Sequence, residues 1–323
     1  MRTIAIVAGG DSSEYEISVK SANGVAAALS SRYETYIIVI RGINWYWEDQ
    51  KGSFYNIDKN DFTLIVDDFH IRFDAVFIAI HGTPGENGLL QGYFEMLKIP
   101  YTGCDAFCSA LTFNKQACKL YLKEYGIPMA KNIILRKENI PDISSITAKT
   151  GLPCFVKPND SGSSFGVTKV KTKEELPGAI ETAFKESNEV MVEAFMDGRE
   201  VACGVVKIKG KAIVLPVTEI ISKNEFFDYE AKYTPGKSEE ITPANMPVNI
   251  TNKIQDLSSS VYDLLGCKGI VRVDFIIVGE EPYFLEINSI PGMTEESLIP
   301  KQAKAAGINL GELYSMVVED LFN

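Results

Sequence analysis

The sequence predicts a mixed α/β protein, with a parallel α/β domain at the N-terminus followed by a two-part region of α+β character. Two observations support this prediction. In the first hundred residues, short apolar segments alternate with segments that have the apolar spacing of a helix. From Glu189 onward, alternating apolar residues and hairpin signals predominate instead.

Length and composition set the scale of the fold. The chain has 323 residues, of which 46% are hydrophobic and 23% are charged. That composition is typical of globular proteins, and domains commonly contain roughly 100–200 residues. We therefore expect a large apolar core and two or three structural units.

The N-terminal unit is predicted from alternating strands and helices. Its elements are strands at 3–8, 36–40 and 75–80 and helices at 17–29 and from Leu89. This order favours a parallel sheet, whose binding sites lie at the carboxyl ends of the strands. Glu14 and His81 each follow such an end, so we expect both near a site.

The rest of the chain begins near residue 102. Its predicted elements are helices at 106–125 and 174–185, a strand at 153–156 interrupted at Lys157, a glycine and serine loop at 161–166, and a hairpin at 201–208 and 212–217. The segment 224–245 is polar and contains proline. Because long loops in compact domains often cover active sites, we expect this segment to be a lid.

A β-ribbon near the C-terminus gives the strongest functional signal. We predict strands at 270–278 and 282–288, joined by a three-residue turn that pairs Val278 with Pro282. Side chains alternate between the faces of a strand, so the pairing decides which residues share a face.

That pairing places Asp274 opposite Glu286 and Arg272 opposite Asn288, on one face. Two opposed carboxylates destabilise a hairpin by roughly 0.2–1 kcal/mol, and a cation between them reverses the sign. Oxygen ligands from Asp, Glu and Asn suit Mg²⁺. The sequence therefore favours a magnesium site over an exposed polar face.

A phosphate site is predicted less specifically. The loop 161–166 follows Lys157, and Lys115 lies on the preceding helix. Backbone N–H groups of such a loop can form an anion nest, although a plain surface turn is the common alternative. The P-loop pattern is absent, and the glycines after the first strand lack the dinucleotide-binding spacing.

A turn between two later strands is a candidate adenine hinge. Glu193 closes one strand and Glu200 opens the next, on either side of Met196. Backbone groups there could contact a base, and Glu200 could reach a ribose. An ordinary turn with solvated acids fits the same residues.

Charge and cysteine content exclude several classes of protein. The net charge of −11 argues against nucleic-acid and anionic-membrane partners. No Cys-x-x-Cys pair occurs among the six cysteines, so we expect buried free thiols in a reducing compartment. No targeting segment or membrane helix is recognisable, so we expect the cytoplasm.

Taken together, these residues resemble the D-alanine–D-alanine ligases of the ATP-grasp superfamily. The resemblance extends over nearly the whole chain. It is carried by the segments 9–18, 81–88, 90–92, 100–103, 156–158, 162–164, 228–233, 272–274, 285–288 and 291–294. It implies an N-terminal substrate-binding domain at 1–103, a central ATP-grasp subdomain at 104–192 and a C-terminal one at 193–323, with a lid loop at 222–245.

The resemblance also implies an activity. Members join two D-alanines with ATP for peptidoglycan synthesis, through an acyl phosphate formed on the first D-alanine. The resemblance also implies two Mg²⁺ (or Mn²⁺) ions and a homodimer. The enzyme would act in the cytoplasm. The nearest alternatives are ligases that take D-lactate or D-serine, or another ATP-grasp carboxylate–amine ligase, and a more remote one is a non-catalytic nucleotide-binding protein.

Residue roles follow from the resemblance position by position. It implies that the catalytic residues are Glu14, Ser163, Tyr233 and Arg272, the first three as a hydrogen-bonded trio that closes the lid. Substrate would be bound by Glu14, His81, Arg272, Gly292, Ser297 and Leu298. ATP would be bound by Lys115, Lys157, Ser163, Ser164, Glu193, Ala194, Met196, Glu200 and Lys232. The metal ligands would be Asp274, Glu286 and Asn288.

Two positions bear on specificity and nucleotide binding. The Glu-Ala-Lys-Tyr run that ends at Tyr233 favours D-alanine as the second substrate, since D-lactate- and D-serine-forming relatives differ there. Ala194 stands where the family often has lysine, which removes one side-chain contact to the nucleotide but leaves the backbone donors.

Overall fold

A computed structural model describes residues 1–160, 162, 165–222 and 237–323, and three sheets organise this part of the chain. The strands are β1 Thr3–Gly9, β2 Glu34–Arg41, β3 Asn44–Glu48, β4 Phe54–Asp58, β5 Thr63–Val66, β6 Phe69–Ile71, β7 Ala75–Ile78, β8 Asn132–Arg136, β9 Cys154–Pro158, β10 Thr168–Val170, β11 Glu189–Ala194, β12 Arg199–Ile208, β13 Lys211–Val214, β14 Thr218–Ser222, β15 Ser238–Ile241, β16 Ile270–Val278 and β17 Glu281–Asn288. The helices are α1 Tyr15–Leu29, α2 Leu89–Leu97, α3 Ala106–Phe113, α4 Lys115–Lys123, α5 Ile143–Thr150, α6 Leu176–Glu186, α7 Val248–Leu264, α8 Leu298–Ala305 and α9 Leu310–Asp320, with a 3₁₀ turn at Lys173–Glu175.

The first sheet is parallel only in part. Its strand order is β6-β5-β4-β3-β2-β1-β7, and only β2, β1 and β7 run parallel. The strands β3 to β6, which were not predicted from the sequence, add antiparallel pairs to one edge. They are short and joined by tight turns, such as the one at Gly42 with φ 54°. The three predicted strands therefore do form a parallel sheet, to which the structure adds an antiparallel edge.

The predicted helix at 106–125 is two helices. Asn114 ends α3 with extended backbone angles, φ −85° and ψ 102°, and also begins α4. Its side chain accepts a hydrogen bond of 2.9 Å from the backbone N–H of Ala117. Asparagine is a preferred N-cap residue, which explains why the chain restarts there. The break places Lys115 at the first position of α4.

The second sheet has the order β10-β9-β11-β8. Strand β9 continues through Lys157 to Pro158, so the predicted interruption is wrong. Its partner β10 pairs only with residues 154–156, which leaves Pro158 at an open edge where no backbone donor is needed. Lys157 is thus held in a regular strand.

The third sheet has the order β15-β14-β12-β16-β17, with β13 paired to β12. The predicted hairpin forms with a two-residue turn at Lys209 and Gly210, both of which have positive φ. Part of the predicted lid is not a loop, because Ser238–Ile241 forms β15 against β14. Residues 223–236 lie outside the described residues.

The ribbon of β16 and β17 has the predicted pairing but not the predicted turn. Val278 pairs with Glu281 and Ile277 with Pro282, so the turn has two residues. A β-bulge between Asp274 and Phe275 then shifts the register by one residue. Beyond the bulge the expected pairs are restored.

Apolar clusters join the first and third sheets, whereas the second sheet has a cluster of its own with α5 and α6. One cluster packs Cys108 of α3 and Leu122 of α4 against the third sheet. Another packs α9 against α1 and also includes Ile270 of β16. Within the described ranges, no helix has both the length and the apolarity to cross a membrane.

Candidate active site

A cavity of about 1640 Å³ is lined by residues of the second and third sheets, of α1 and the residues before it, and of the loop after β7. It brings together almost every described residue that the sequence assigned to a site: Glu14, His81, Lys115, Lys157, Glu193, Ala194, Met196, Glu200, Arg272, Glu286, Asn288, Gly292, Ser297 and Leu298. Asp274 lies directly behind this lining, against Arg272. Ser163, Ser164, Lys232 and Tyr233 lie outside the described residues.

The ribbon side chains meet as the sequence predicted. Asp274 pairs with Glu286 and Arg272 with Asn288 in the sheet register. The Arg272 guanidinium donates two hydrogen bonds of 2.7 Å to Asp274, one to each carboxylate oxygen. Asn288 donates a third, of 3.1 Å from Nδ2 to Oδ2 of Asp274. This bidentate geometry fixes both the carboxylate and the guanidinium.

Helix α4 contributes a lysine to the same place. Nζ of Lys115 lies 3.9 Å from Oε2 of Glu286. The Glu286 side chain is 28% exposed, whereas Asp274 is 5% exposed. The ribbon therefore presents Glu286 toward the cavity and keeps Asp274 in the protein.

A buried charge cluster lies at the junction of α4, β9 and β11. Glu193 accepts hydrogen bonds from Lys119 on one carboxylate oxygen and from Lys157, at 2.5 Å, on the other. The side chains of Lys119 and Glu193 are 2% and 3% exposed. Two ammonium groups thus surround one carboxylate in a region that excludes water.

Burial and charge act against each other in this cluster. Burial alone would raise the pKa of Glu193, but Lys119 and Lys157 lower it below its ordinary value. Burial lowers the pKa of Lys119, and Glu193 opposes that shift. Because the cluster contains one more lysine than acid, an additional negative charge at the cavity wall would balance it.

His81 connects three elements around the cavity. Its Nδ1 donates to the carbonyl oxygen of Ile290 at 3.0 Å, and its Nε2 lies 3.1 Å from Oγ of Ser21. Ser21 in turn accepts from the backbone N–H of Met293 at 3.3 Å. Burial lowers the pKa of His81, so the neutral ring, with its proton on Nδ1, fits these partners.

Two acids lie beside this histidine. Glu14 is 8% exposed, and a side chain at Gly162 would come within 2.6 Å of its Oε2. Glu86 accepts hydrogen bonds from the backbone N–H groups of Gly82, at 2.8 Å, and Ile290, at 3.3 Å. Burial and the nearby Glu14 raise the pKa of Glu86 to about 7.

The start of α8 closes another side of the cavity. Ser297 is the residue before the helix, and its Oγ lies 2.7 Å from Oγ1 of Thr294. A side chain at Gly292 would approach Oγ of Ser297 to 2.6 Å. Glycine at this position therefore keeps the space beside Ser297 open.

The candidate hinge has fewer free backbone donors than the sequence suggested. The N–H of Ala194 donates to the carbonyl of Lys131 at 2.8 Å, and that of Phe195 donates to Pro153 at 3.3 Å. Phe155 and Phe195 form an aromatic pair on the cavity wall, with ring centroids 6.1 Å apart. Of the backbone donors that the sequence left for a nucleotide, that of Ala194 is therefore used by Lys131, the residue before β8.

Sequence reasoning missed three residues of this site. Lys119 lies one helical turn after Lys115, so helix periodicity alone could have placed it on the same face. Glu86 lies in the glycine-rich segment after β7, and nothing local marks it as part of the site. Phe155 lies two residues before Lys157 on β9, so the two side chains share one face of the strand. That marks Phe155 as a residue of the cavity wall only once the cavity is known.

Similarity to known proteins agrees with this geometry. Residues 3–104 match the family model described as D-ala D-ala ligase N-terminus, and residues 121–319 match that described as D-ala D-ala ligase C-terminus. The chain belongs to the D-alanine–D-alanine ligase family. The predicted membership is confirmed.

Other members of the ligase family match along their full length. A D-alanine–D-alanine ligase of Phocaeicola vulgatus is 51% identical over 323 residues, covering 99% of each chain. The VanG D-Ala:D-Ser ligase of Enterococcus faecalis is 34% identical, with a TM-score of 0.89 and 99% of each chain covered. A Bacillus anthracis D-alanine–D-alanine ligase complexed with ATP is 30% identical, with a TM-score of 0.80, covering 100% of this chain and 98% of that one. These likenesses confirm the predicted fold class.

Proposed function

We propose that this protein joins two D-alanines to form D-alanyl-D-alanine at the expense of ATP, for synthesis of peptidoglycan precursors. One observation carries the proposal. A guanidinium–carboxylate ribbon and a lysine-rich cluster face a single cavity, in a chain 51% identical to a D-alanine–D-alanine ligase over its whole length.

The chemistry begins at the γ-phosphate of ATP. A carboxylate oxygen of the first D-alanine attacks the γ-phosphorus, the bond to the β-phosphate oxygen breaks, and ADP leaves. The amine of the second D-alanine then attacks the acyl carbon and loses a proton. Phosphate departs with the oxygen that came from the carboxylate. Arg272, held by Asp274, is positioned to stabilise negative charge in both steps.

The first D-alanine is assigned to the side of the cavity that holds Glu14 and His81. The Glu14 carboxylate would accept hydrogen bonds from its ammonium group. The neutral His81 ring is fixed by Ser21 and Ile290, so its role is to hold the neighbouring loops in place. Ser163 and Tyr233 would complete the lid over this substrate, which keeps water from the acyl phosphate.

The second D-alanine is assigned to the start of α8. Backbone N–H groups at a helix N-terminus favour an anion, so a carboxylate fits beside Ser297 and Leu298. The space kept open by Gly292 would admit it. Its amine would then point toward the carboxyl group of the first substrate.

ATP is assigned to the space between the second and third sheets. Lys115 and Lys157 would contact its phosphates, with Ser164 and Lys232 as further ligands. The base would lie near Phe155, with the Ala194 carbonyl as an acceptor and the Met196 backbone as a donor. Glu200 would bind the ribose, and Glu193 would hold the lysine side chains in place.

The donor atoms of the ribbon suit two Mg²⁺ (or Mn²⁺) ions. Asp274, Glu286 and Asn288 offer oxygen atoms, which Mg²⁺ prefers, and Arg272 and Asn288 already fix the Asp274 carboxylate. The ions, when bound, would neutralise phosphate charge during transfer. The role of the protein is to hold these oxygens on two adjacent strands.

We further propose three units at residues 1–103, 104–192 and 193–323, a lid at 222–245, a homodimer, and action in the cytoplasm. The three sheets support the units, with β1–β7 in the first, β8–β11 across the second and β12–β17 in the third.

A panel of second substrates tests the proposed function. Purified protein with ATP and Mg²⁺ should release phosphate with D-alanine alone and form D-alanyl-D-alanine. The likeness to the VanG enzyme, a D-Ala:D-Ser ligase, favours D-serine as the second candidate. Product only in the presence of D-serine or D-lactate would overturn our choice, and background phosphate release with every substrate would overturn the enzymatic assignment.

A further inference from the structure

Three cysteines from two distant segments meet on the side of the third sheet that carries α3 and α7. Cys104 lies just before α3, Cys108 lies within it, and Cys267 lies between α7 and β16. Their exposed fractions are 1%, 1% and 7%. None of the residues already assigned to the active site belongs to this group.

The sulfur atoms are close enough to share one ion. All three Sγ atoms lie within 4.8 Å of one another, and those of Cys108 and Cys267 are 3.7 Å apart. Two thiolates on a tetrahedral zinc ion, each at about 2.3 Å, are separated by about 3.8 Å. Among the described residues, this is the one group of Cys, His, Asp or Glu with such mutual distances.

The surrounding backbone holds the cluster in shape. The two segments touch, since a side chain at Gly269 would come within 2.8 Å of the backbone nitrogen of Gly103. The carbonyl oxygen of Lys268 lies 3.7 Å from Sγ of Cys104. A second cavity, of about 330 Å³, is lined by Cys267 and Lys268, so one of the three cysteines borders a space large enough for water.

The chemistry of the three side chains also suits a soft cation. Sulfur ligands favour ions of the zinc class, and each thiol that binds such an ion loses its proton to solvent.

We propose that Cys104, Cys108 and Cys267 form a binding site for a thiophilic divalent cation of the zinc class, separate from the magnesium site of the ribbon. Three sulfurs coordinate the ion, and water reached through the smaller cavity takes the fourth position. Cys108 lies on the helix that precedes Lys115, and Cys267 shortly precedes Arg272 on β16. The bound ion therefore braces the two segments that lead to the phosphate and ribbon residues.

Cadmium, used as a spectroscopic substitute for zinc, tests the proposal on the full, reduced protein. We expect one equivalent of Cd²⁺ to give sulfur-to-metal charge-transfer absorption that excess Mg²⁺ does not remove, since Mg²⁺ prefers oxygen ligands. Cys108→Ala should weaken Cd²⁺ binding more than about 100-fold. Loss of a residue that only contacts a metal ligand typically costs roughly 10–100-fold in affinity, and loss of a ligand should cost more. Cys154→Ala, which removes a buried thiol from the second sheet, is the matched control and should leave binding unchanged.

Two results would overturn the site. One is the absence of sulfur-to-metal absorption from the folded wild-type protein, and the other is absorption that survives both Cys108→Ala and Cys267→Ala. If these variants do not fold, X-ray absorption by wild-type protein with one equivalent of Zn²⁺ decides the question. Three sulfurs at about 2.3 Å would support the site, and a shell of oxygen and nitrogen alone would contradict it.

Discussion

The Glu193 cluster and the β16–β17 ribbon are both built around a buried carboxylate, but they differ in charge and exposure. Glu193 is enclosed by two lysines, so positive charge is in excess. On the ribbon, Asp274 is held by Arg272, and Glu286 lies 3.9 Å from Lys115 of α4, so the two strands themselves carry more negative than positive charge. Both regions reach the same cavity.

Under the proposed function, this difference would let the cavity bind a nucleotide together with its cation. Buried charge is costly unless it is balanced, so each excess is best stabilised by a ligand of the opposite sign. Phosphates suit the lysine cluster, and a divalent cation suits the ribbon. We therefore expect variants of the first region to act on stability and ATP affinity, and variants of the second to act on turnover.

The largest expected effect is on stability, from Glu193→Gln. The change keeps the shape of the side chain but leaves Lys119 and Lys157 buried without a counter-charge. Loss of one partner from a buried ion pair costs about 3–5 kcal/mol. Denaturant unfolding of both proteins measures the difference. A loss below about 1 kcal/mol would mean that water reaches the two lysines.

On the ribbon, Asp274→Asn should act mainly on turnover. It removes the charge that holds Arg272 and one oxygen ligand, while the side chain keeps its size. We expect kcat for phosphate release to fall by more than about 100-fold, with a smaller loss of stability than for Glu193→Gln. Steady-state kinetics and unfolding of the same preparation separate the two effects. A kcat within twofold of wild type would contradict the difference that we draw between the ribbon and the Glu193 cluster.

A third variant, Lys119→Met, tests whether the excess positive charge matters. Lys157 remains to balance Glu193, so the loss of stability should be about 1–3 kcal/mol. The KM for ATP should rise by roughly tenfold, or about 1.4 kcal/mol, with a smaller change in kcat. The exposed Lys123→Met is the matched control on the same helix and should change neither quantity. An unchanged KM for ATP would remove the electrostatic role that we give to the cluster.

The smallest expected effect depends on pH and concerns Glu86. Its pKa is raised from the ordinary value of 4.5 to about 7, so the folded state favours the protonated form. The resulting stability is complete below pH 4.5 and is lost as the pH rises through 7. For this partly buried carboxyl we expect a fall on the order of 1–2 kcal/mol relative to Glu86→Gln, whose side chain does not titrate. Parallel pH curves for the two proteins would contradict this, because they would mean that Glu86 has the same pKa in the folded and unfolded states.

Much of the site could be predicted because ribbon pairing is a local property. Residues 270–288 contain both strands and their turn, so strand alternation brings four functional side chains together. The predicted turn was one residue too long, and the bulge at Asp274 corrects the register by one residue. The shorter turn and the bulge shift the register in opposite directions, so the predicted pairs of Asp274 and Arg272 are correct. No local signal predicts that bulge.

Contacts between distant segments could not be predicted in the same way. Lys119 is separated from Glu193 by 74 residues, and Glu86 from Ile290 by 204. These pairs exist only after elements far apart in the chain have packed together. The strands β3 to β6 escaped prediction for a different reason, because strands of three to five residues give little periodicity.

The fate of a carboxylate oxygen tests the account most directly. The protein would be given ATP, Mg²⁺ and D-alanine labelled with ¹⁸O in its carboxyl group, and the released phosphate would be analysed by mass spectrometry. Transfer of the γ-phosphate to the carboxylate predicts one ¹⁸O in each phosphate formed along with D-alanyl-D-alanine. Phosphate without ¹⁸O, released as dipeptide accumulates, would contradict an acyl phosphate formed in this cavity.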